Sequence, residues 1–414
     1  MITALRSTMR SRLVVATPIA AVMALTAAVA ISAPAAYATG HGGGARKTPR
    51  TLPTLSTSTT TPLPTSLHNP TSLPAALISG VPPASAVALT IGHNPQSTID
   101  AHPMNTAFVI SSGVHDLFSV MPKSGDSFYA QPGAVLDGDG STPSAFAAFG
   151  NDGEADDVTV VGASSNQLLV IENYNDGQEA QLGTVQTGQS KVWASGWRLQ
   201  WVDIADSYSR SISTSNGMVI VGCYIHDSGR LGIGGGGSNI VIEGNAIDDN
   251  GFNVPPDTVQ EAGGIKTVAQ DITIVGNSIE NNDAPGIWTD VDATNVTIEG
   301  NHIVGNKLGI HIEISHSVTI RENQIDDNLK PGIEISASNN VTITDNNLRA
   351  DNGGIVGNEP DRGSGPDGPR ILNYLTVTGN VIINSGSSGV TTLPPGSFVK
   401  FKNNKFIHSQ LVHV

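Results

Sequence analysis

Apolar and polar residues alternate in short blocks that recur along the second half of the chain. Eight blocks can be aligned on this alternation from Met218 onward. Because side chains alternate between the two faces of a β-strand, a period of two predicts short strands rather than helices. The blocks read MVIVGCYIHDS, IVIEGNAIDDN, ITIVGNSIENN, VTIEGNHIVGN, VTIRENQIDDN, VTITDNNLRAD, LTVTGNVIINS and FVKFKNNKFIHS.

One position of the block holds asparagine in every copy except the first. The regular spacings between these positions are 22, 24, 22, 23 and 24 residues. At ~3.3 Å per residue, so short a repeat closes a loop about 70 Å around, which is one coil of a solenoid with three strands and three turns. Stacked asparagines can bond from coil to coil, because the side-chain amide is both donor and acceptor. The column comprises Cys223, Asn245, Asn277, Asn301, Asn323, Asn346, Asn380 and Asn404.

The stretch from about residue 196 to 409 resembles the right-handed parallel β-helix of the pectate-lyase-like superfamily, and more narrowly secreted bacterial proteins with parallel β-helix repeats. Residues 108 to 138, FVISSGVHDLFSVMPKSGDSFYAQPGAVLDG, resemble their opening coils. The resemblance implies an all-β, single-stranded right-handed parallel β-helix with about 22 to 24 residues and three strands per coil. It does not choose a reaction, because the superfamily contains lyases, hydrolases, epimerases and non-enzymes.

The amino-terminal composition predicts an exported protein. Three arginines precede an apolar stretch from Leu13 to about Ala30, and Ala-Tyr-Ala ending at residue 38 supplies a cleavage site. We interpret residues 1–38 as a signal peptide, with an uncleaved membrane anchor as the alternative. Residues 39–95 are rich in Thr, Pro and Ser and are interpreted as a disordered linker before a β-helix domain at 96–414. The expected location is extracellular, with no transmembrane segment in the mature chain.

The charge balance excludes nucleic acid as a partner. The net charge is -15, and removing three Arg and no acid with residues 1–38 makes it -18. Nucleic-acid binders neutralise phosphates with Lys and Arg, which this chain lacks in excess. An acidic polysaccharide would need a local basic site or a bridging cation. The one cysteine, Cys223, allows no internal disulfide and is interpreted as a small half-buried residue rather than a reactive thiol; we expect a monomer.

A strand beginning Gly-Ile follows most of the asparagine blocks. The Ile and the residue two further on should point inward, so the positions between them should point into solvent in two columns. One column reads Gly234, Lys266, Trp288, His311, Glu334 and Val356, and its neighbour reads Gly236, Val268, Asp290, Glu313, Ser336 and Asn358.

Two insertions are placed to wall a groove over these columns. Residues 251–262 precede one Gly-Ile strand, and residues 359–370 follow another. Long loops on a rigid solenoid usually serve binding. The family resemblance also implies a saccharide cleft on the corresponding sheet. No strand-loop-helix surrounds the glycine run 234–237, so it does not predict a nucleotide site.

Three side chains of the first column are candidates for chemistry. Trp288 could stack on a sugar ring or be partly buried beneath the 251–262 loop. Lys266 could be a solvated lysine or, if crowding lowers its pKa, a catalytic base. His311 is either an ordinary surface imidazole or a catalytic group.

The second column brings two carboxylates close together. Asp290 and Glu313 should lie one rung apart, ~4.8 Å between Cα atoms. Three hypotheses follow: a glycosidase pair, a Ca²⁺ site assisted by Asp292 or Glu334, or a tolerated surface pair. Substrate contacts are predicted for Trp288 and Glu334. Two loop residues, Arg362 and Glu261, could also bind substrate or could simply be solvated.

These residues lead to three functional hypotheses. The first is a secreted polysaccharide lyase acting by β-elimination on an acidic polysaccharide, with Lys266 as base and Ca²⁺ held by Asp290 and Glu313. The second is a glycoside hydrolase that uses Asp290 and Glu313. The third is a non-catalytic glycan-binding module. We also expect the segment from Ser397, with Phe398, Phe401 and Phe406, to cap the solenoid.

Overall fold

A computed structural model describes residues 76–150, 153–175, 183–189, 192–253, 261–358, 362–366, 368–390 and 397–412. Within these ranges the chain winds through three parallel sheets, visiting each sheet once per coil. The predicted signal peptide and most of the predicted linker lie outside the described residues. No helix in the described part is long and apolar enough to cross a membrane.

The first sheet has thirteen strands among the described residues. They are Val87–Leu89, Ala107–Ile110, Ser127–Ala130, Thr159–Val161, Arg198–Gln200, Val219–Val221, Ser238–Glu243, Gln270–Val275, Thr294–Glu299, His316–Arg321, Asn339–Thr344, Asn373–Thr378 and Val399–Lys402.

The second sheet has twelve described strands. They are Gly113–Asp116, Ala134–Asp137, Leu169–Glu172, Val202–Ala205, Tyr224–His226, Ala246–Asp248, Ser278–Glu280, His302–Val304, Gln324–Asp326, Asn347–Arg349, Val381–Ile383 and Lys405–Ile407.

The third sheet, which carries the Gly-Ile strands, has ten described strands. They are Phe146–Ala147, Val185–Gln186, Arg210–Ser213, Leu231–Gly235, Gly263–Thr267, Pro285–Thr289, Leu308–Glu313, Ile333–Ser336, Ile355–Asn358 and Gly389–Val390. Three antiparallel hairpins add Phe149–Gly150 with Gly153–Glu154, Gly188–Gln189 with Val192–Trp193, and Ser364–Gly365 with Gly368–Pro369.

The solenoid starts earlier than the predicted boundary at residue 96. The strand Val87–Leu89 already pairs in parallel with Ala107–Ile110 in the first sheet. A short helix, Pro95–Asp100, follows it, with Asn94 as its N-cap and Ile99 fully buried. The apolar residues of this segment follow a long Thr/Pro-rich stretch in the sequence. The predicted linker therefore included residues that belong to the solenoid.

Inward-facing aliphatic side chains form the core. Ile287, Ile310 and Ile333 pair in register on successive coils of the third sheet, and all three are completely buried. Each adds a buried side chain directly above its equivalent, and burial of one such side chain contributes ~1.5–3 kcal/mol. The predicted fold class is therefore confirmed, with three strands per coil.

The predicted asparagine column forms a continuous buried ladder. The side chain of Asn301 accepts hydrogen bonds from the backbone N (3.0 Å) and Nδ2 (2.9 Å) of Asn277. Its own Nδ2 donates to Asn323 Oδ1 (3.0 Å) and to Ile274 O (3.0 Å). Cys223 ends the column, fully buried, and its N–H donates to Asn245 Oδ1 at 2.9 Å. Burial raises the pKa of the Cys223 thiol to about 12.

A second ladder runs along the next turn and was not predicted. It repeats the bonding of the first ladder and ends on an acid: Asn328 donates through N (3.0 Å) and Nδ2 (2.8 Å) to Asp351 Oδ1. A Cβ on Gly309 would lie 2.3 Å from Gly332 O and 3.2 Å from Asn328 Nδ2, so the backbone of the next strand and this ladder together leave no room for a side chain there. The ladder comprises Asn250, Asn282, Asn306, Asn328 and Asp351.

Replacing Asp351 with asparagine should stabilise the protein above neutral pH. Asp351 is buried, its Oδ2 has no hydrogen-bond partner in the described structure, and burial raises its pKa to about 7. When folding raises the pKa of a carboxyl, the folded protein loses stability as the pH rises from the ordinary pKa of the group to the raised one. We expect Asp351→Asn to raise the free energy of unfolding by about 2–4 kcal/mol at pH 8 and far less at pH 4. Denaturant titrations at both pH values measure this.

The exposed Asp345 supplies the control for that experiment. Asp345→Asn should change the free energy of unfolding little at either pH. An Asp351→Asn protein no more stable than the wild type at pH 8 would contradict the assignment of a penalised buried carboxylate.

The carboxyl-terminal segment forms the last described coil. Val399–Lys402 pairs with the first sheet and Lys405–Ile407 with the second. Phe401 and Phe406 pack against the core, whereas Phe398 is 52% exposed and does not cover it. The segment thus adds one more coil whose two inner aromatic rings cover the preceding one.

Candidate functional site

The third sheet presents the two columns in the register expected from alternation. Lys266 pairs with Trp288, Trp288 with His311, and His311 with Glu334 on successive strands. Thr289 pairs with Ile312, which sets the residues that follow them, in the second column, one rung apart. The candidate site is this outer face of the third sheet together with the described ends of the two insertions.

Lys266 is held in place by two carboxylates. Its Nζ lies 3.1 Å from Asp290 Oδ2 and 3.5 Å from Glu261 Oε1, and the side chain is almost fully buried. Glu261, on the described end of the first insertion, also lies 3.6 Å from the guanidinium of Arg210 through Oε2. The positive charge of Lys266 is therefore already balanced by carboxylates of the protein.

Trp288 is covered rather than presented to solvent. Its side chain is 7% exposed, and the Lys266 ammonium lies 4.0 Å from the ring centroid. The imidazole of His311 stacks against the same indole, with centroids 5.2 Å apart and planes 29° apart. Of the two interpretations of Trp288, the structure therefore has the buried one, and the indole supports its two neighbours.

His311 is a half-buried imidazole. Burial lowers its pKa below the ordinary value, and the positive charge of Lys266 acts in the same direction. The carboxylates of Glu334, Glu313 and Asp290 oppose this shift without reversing it. His311 is therefore neutral at pH 7 and able to accept a proton.

The two close carboxylates of the second column each have a separate cation. Asp290 pairs with Lys266, whereas Glu313 Oε1 lies 2.7 Å from NH1 of Arg362, on the second insertion. Arg362 keeps 40% of its side chain exposed. Glu334, one rung beyond His311, accepts a hydrogen bond from Asn358 Nδ2 at 2.8 Å.

Asp292 turns to a different partner. Its carboxylate makes a two-pronged ion pair with Arg370, at 3.0 Å to Nε and 2.6 Å to NH2, and lies 3.8 Å from His316 Nε2. In the described part of the chain no three His, Cys, Asp or Glu side chains are grouped to hold a metal ion. The carboxylates considered for Ca²⁺ thus do not form a common donor set, and the calcium hypothesis stays a prediction.

Three site residues were missed by sequence reasoning, namely Arg210, Arg370 and Trp193. The glycine run was the available signal. A Cβ on Gly234 would lie 2.9 Å from Arg210 Nε, and one on Gly236 would lie 2.9 Å from Trp193 Cζ2. Consecutive glycines on an outward strand indicate that other side chains lie directly across it.

One chain wound through three parallel sheets, with charged side chains along the outer face of one of them, defines a parallel β-helix protein. The family model described as the right handed beta helix region matches residues 191–348 and 290–406, which together span 216 of the 414 residues. The chain therefore belongs to the right-handed β-helix family. No curated protein compared with the chain matches it significantly.

Solved structures show the same fold. The A-module of the mannuronan C-5 epimerase AlgE4 of Azotobacter vinelandii is similar with a TM-score of 0.53 and 16% identity, over 77% of this chain and 92% of that one. The A-module of AlgE6 from the same organism gives a TM-score of 0.47 and 16% identity, over 77% and 90%. At 16% identity the likeness to the AlgE4 module is one of fold.

Proposed function

We propose that this protein acts on an acidic polysaccharide bound along the third sheet, and that His311 removes the proton next to a uronate carboxyl. The observation that carries the proposal is a half-buried imidazole, whose pKa burial lowers, on the same face as two cations, Lys266 and Arg362. The fold shared with a mannuronan epimerase module is consistent with a uronate polymer as substrate.

The reaction that fits these groups best is β-elimination. His311 takes the proton from C5 of the uronate, and the electron pair forms a double bond between C4 and C5 as the bond from C4 to the glycosidic oxygen breaks. The imidazolium then returns its proton to the leaving oxygen, so atoms and charge balance. A positioned general base of this kind contributes about 10²–10⁴-fold to the rate.

The two cations have different parts in this scheme, and Arg362 binds a carboxylate of the substrate. Arg362 is partly exposed, so a uronate carboxylate can replace Glu313 as its partner, and a guanidinium fits a carboxylate with two parallel bonds. Lys266 lies two rungs before His311, where its charge offsets the repulsion that Asp290 and Glu261 would otherwise exert on an acidic polymer. Their positive charge also stabilises the negative charge that develops on the carboxyl group when the C5 proton leaves.

A polysaccharide survey tests this function. The purified protein is incubated with polygalacturonate and polymannuronate, with added calcium or with a chelator. We expect products with the ultraviolet absorbance of unsaturated ends, in the chelator as well. New reducing ends without absorbance would instead indicate hydrolysis by Asp290 and Glu313, and retention with no new ends and no loss of C5 hydrogen to water would indicate a binding module. Loss of activity in chelator would restore the calcium hypothesis.

Export of the protein belongs to the same proposal. It rests on the composition of residues 1–38, and an extracellular protein would meet such polymers directly. The monomeric state likewise stays a prediction.

The pH dependence should respond to Glu334. Elimination needs neutral His311, so kcat/KM should fall as pH drops through the pKa of that residue. Glu334 is the carboxylate that raises this pKa most. We expect Glu334→Gln to lower the pKa further and to move the acid limb of the kcat/KM profile to lower pH.

Glu299 on the first sheet, paired with Arg321 at 2.8 Å, provides the matched control. Glu299→Gln should leave the acid limb in place. An acid limb that moves to higher pH in Glu334→Gln, or does not move, would exclude His311 as the titrating base.

A further inference from the structure

Trp193 occupies an unusual place on the third sheet. It belongs to the hairpin Gly188–Gln189 with Val192–Trp193, which leaves the sheet directly after the strand Val185–Gln186. The indole is only partly buried. The ring reaches from the hairpin over Gly236, on the outer face of the third sheet that also carries the charged residues.

Two glycines fix the position of the indole. A Cβ on Gly236 would lie 2.9 Å from Cζ2 and 3.3 Å from Cε2 of Trp193, so the six-membered ring rests directly on that backbone. A Cβ on Gly188 would lie 2.6 Å from Cδ1. Any side chain at either position would displace the ring, which is therefore held by contacts that leave it little freedom to move.

The surface beside Trp193 continues into the charged groove. Gly235 pairs with Thr267, so the residues that follow them, Gly236 and Val268, are neighbours in the second outward column. Val268 is 38% exposed, and the next residue of the column is Asp290. An aromatic and aliphatic surface therefore lies beside the charged residues on this face of the solenoid.

We propose that Trp193 and Val268 form a subsite for a pyranose ring, with Trp193 three rungs and Val268 two rungs before His311. An amphipathic indole buries the C–H face of a sugar while leaving its hydroxyls in water. Three rungs of ~4.8 Å place the subsite about 14 Å from the level of the reacting residue. Only an oligosaccharide several residues long reaches both. This inference rests on the proposed function. It adds that the polymer lies along the solenoid axis and extends at least from Trp193 to His311.

Oligouronates of defined length test the subsite. Binding of oligogalacturonates and oligomannuronates from dimer to octamer is measured by calorimetry for the wild type, Trp193→Phe and Trp193→Ala. We expect the short oligomers to bind all three proteins equally. The long ones should bind Trp193→Ala about tenfold more weakly, since an aromatic contact of ~1.4 kcal/mol corresponds to that factor. Trp193→Phe keeps a ring and should retain most of the gain with length.

Trp201 is the matched control, because it is also half-buried and also lies against a glycine, with its Cδ1 3.0 Å from a Cβ on Gly222. It stands between strands of the first and second sheets, away from the groove. Trp201→Ala should not change the dependence on length. Denaturation midpoints of all variants establish that each is folded.

Equal affinity of wild type and Trp193→Ala at every length would show that Trp193 only packs its hairpin, and would overturn the subsite. A loss of the same size for dimers and octamers would overturn it as well. A wild type that binds no oligouronate defeats the proposed function itself. A wild type that binds and cleaves, with an unaffected Trp193→Ala, defeats the subsite alone.

Discussion

Replacing His311 with glutamine should lower kcat on a uronate polymer about 10³-fold, the typical contribution of a positioned general base. Glutamine keeps a polar side chain of similar length beside Trp288 but cannot take up a proton. Arg362, which binds a substrate carboxylate, remains, so KM should change much less than kcat. Initial rates of appearance of unsaturated ends, over a range of polymer concentrations, separate the two constants.

His302 on the second sheet is the control for this substitution. It is 38% exposed and lies 3.9 Å from Asp326, on a different face from the groove. His302→Gln should retain full activity. A His311→Gln protein with more than a tenth of the wild-type kcat would remove the imidazole from the mechanism.

Replacing Asn301 with alanine should destabilise the solenoid by about 3–6 kcal/mol, since each buried group that loses its partner costs ~1–3 kcal/mol. The substitution removes the acceptor of Asn277 N and Nδ2 and the donor to Ile274 O. All of these groups are in the interior, where water cannot replace the lost bonds. Equilibrium denaturation in urea measures the loss.

An asparagine outside the ladders gives the comparison. Asn352 is exposed, and Asn352→Ala should cost less than about 0.5 kcal/mol, as is usual for surface substitutions. If Asn301→Ala lowered the free energy of unfolding as little as Asn352→Ala, the ladder would not be a source of the coils' stability.

The fold could be predicted because its signals are local and repeated. The alternation around Ile287, Ile310 and Ile333 fixes which face is inward, and the spacing of the asparagines fixes the coil length. The second ladder was equally regular in the sequence, at the last residue of several blocks. It was missed because an asparagine buried at a turn and one exposed at a turn look the same in sequence.

The site could be predicted only as far as alternation reaches. Strand register alone places Lys266, Trp288 and His311 on successive rungs. The partners come from irregular segments: Arg362 is 49 residues from Glu313, and Arg370 is 78 residues from Asp292. No periodic pattern predicts the conformation of such loops, so the separate ion pairs could not be foreseen.

The two ladders hold the strands that carry the site residues. Each groove residue projects from a strand whose neighbouring turn is held by the asparagine and glycine columns, so the rungs keep a constant separation. A regular polymer can then meet equivalent positions on successive coils. Because the strand backbone repeats from coil to coil, the rungs differ from one another in their side chains.

Release of the C5 proton is the event on which this account depends. A uronate polymer labelled with tritium at C5 should lose its label to water when incubated with the wild-type protein, and should keep it with His311→Gln. Cleavage of the polymer by the wild type with the label fully retained would contradict proton removal at C5 and, with it, the role given to His311.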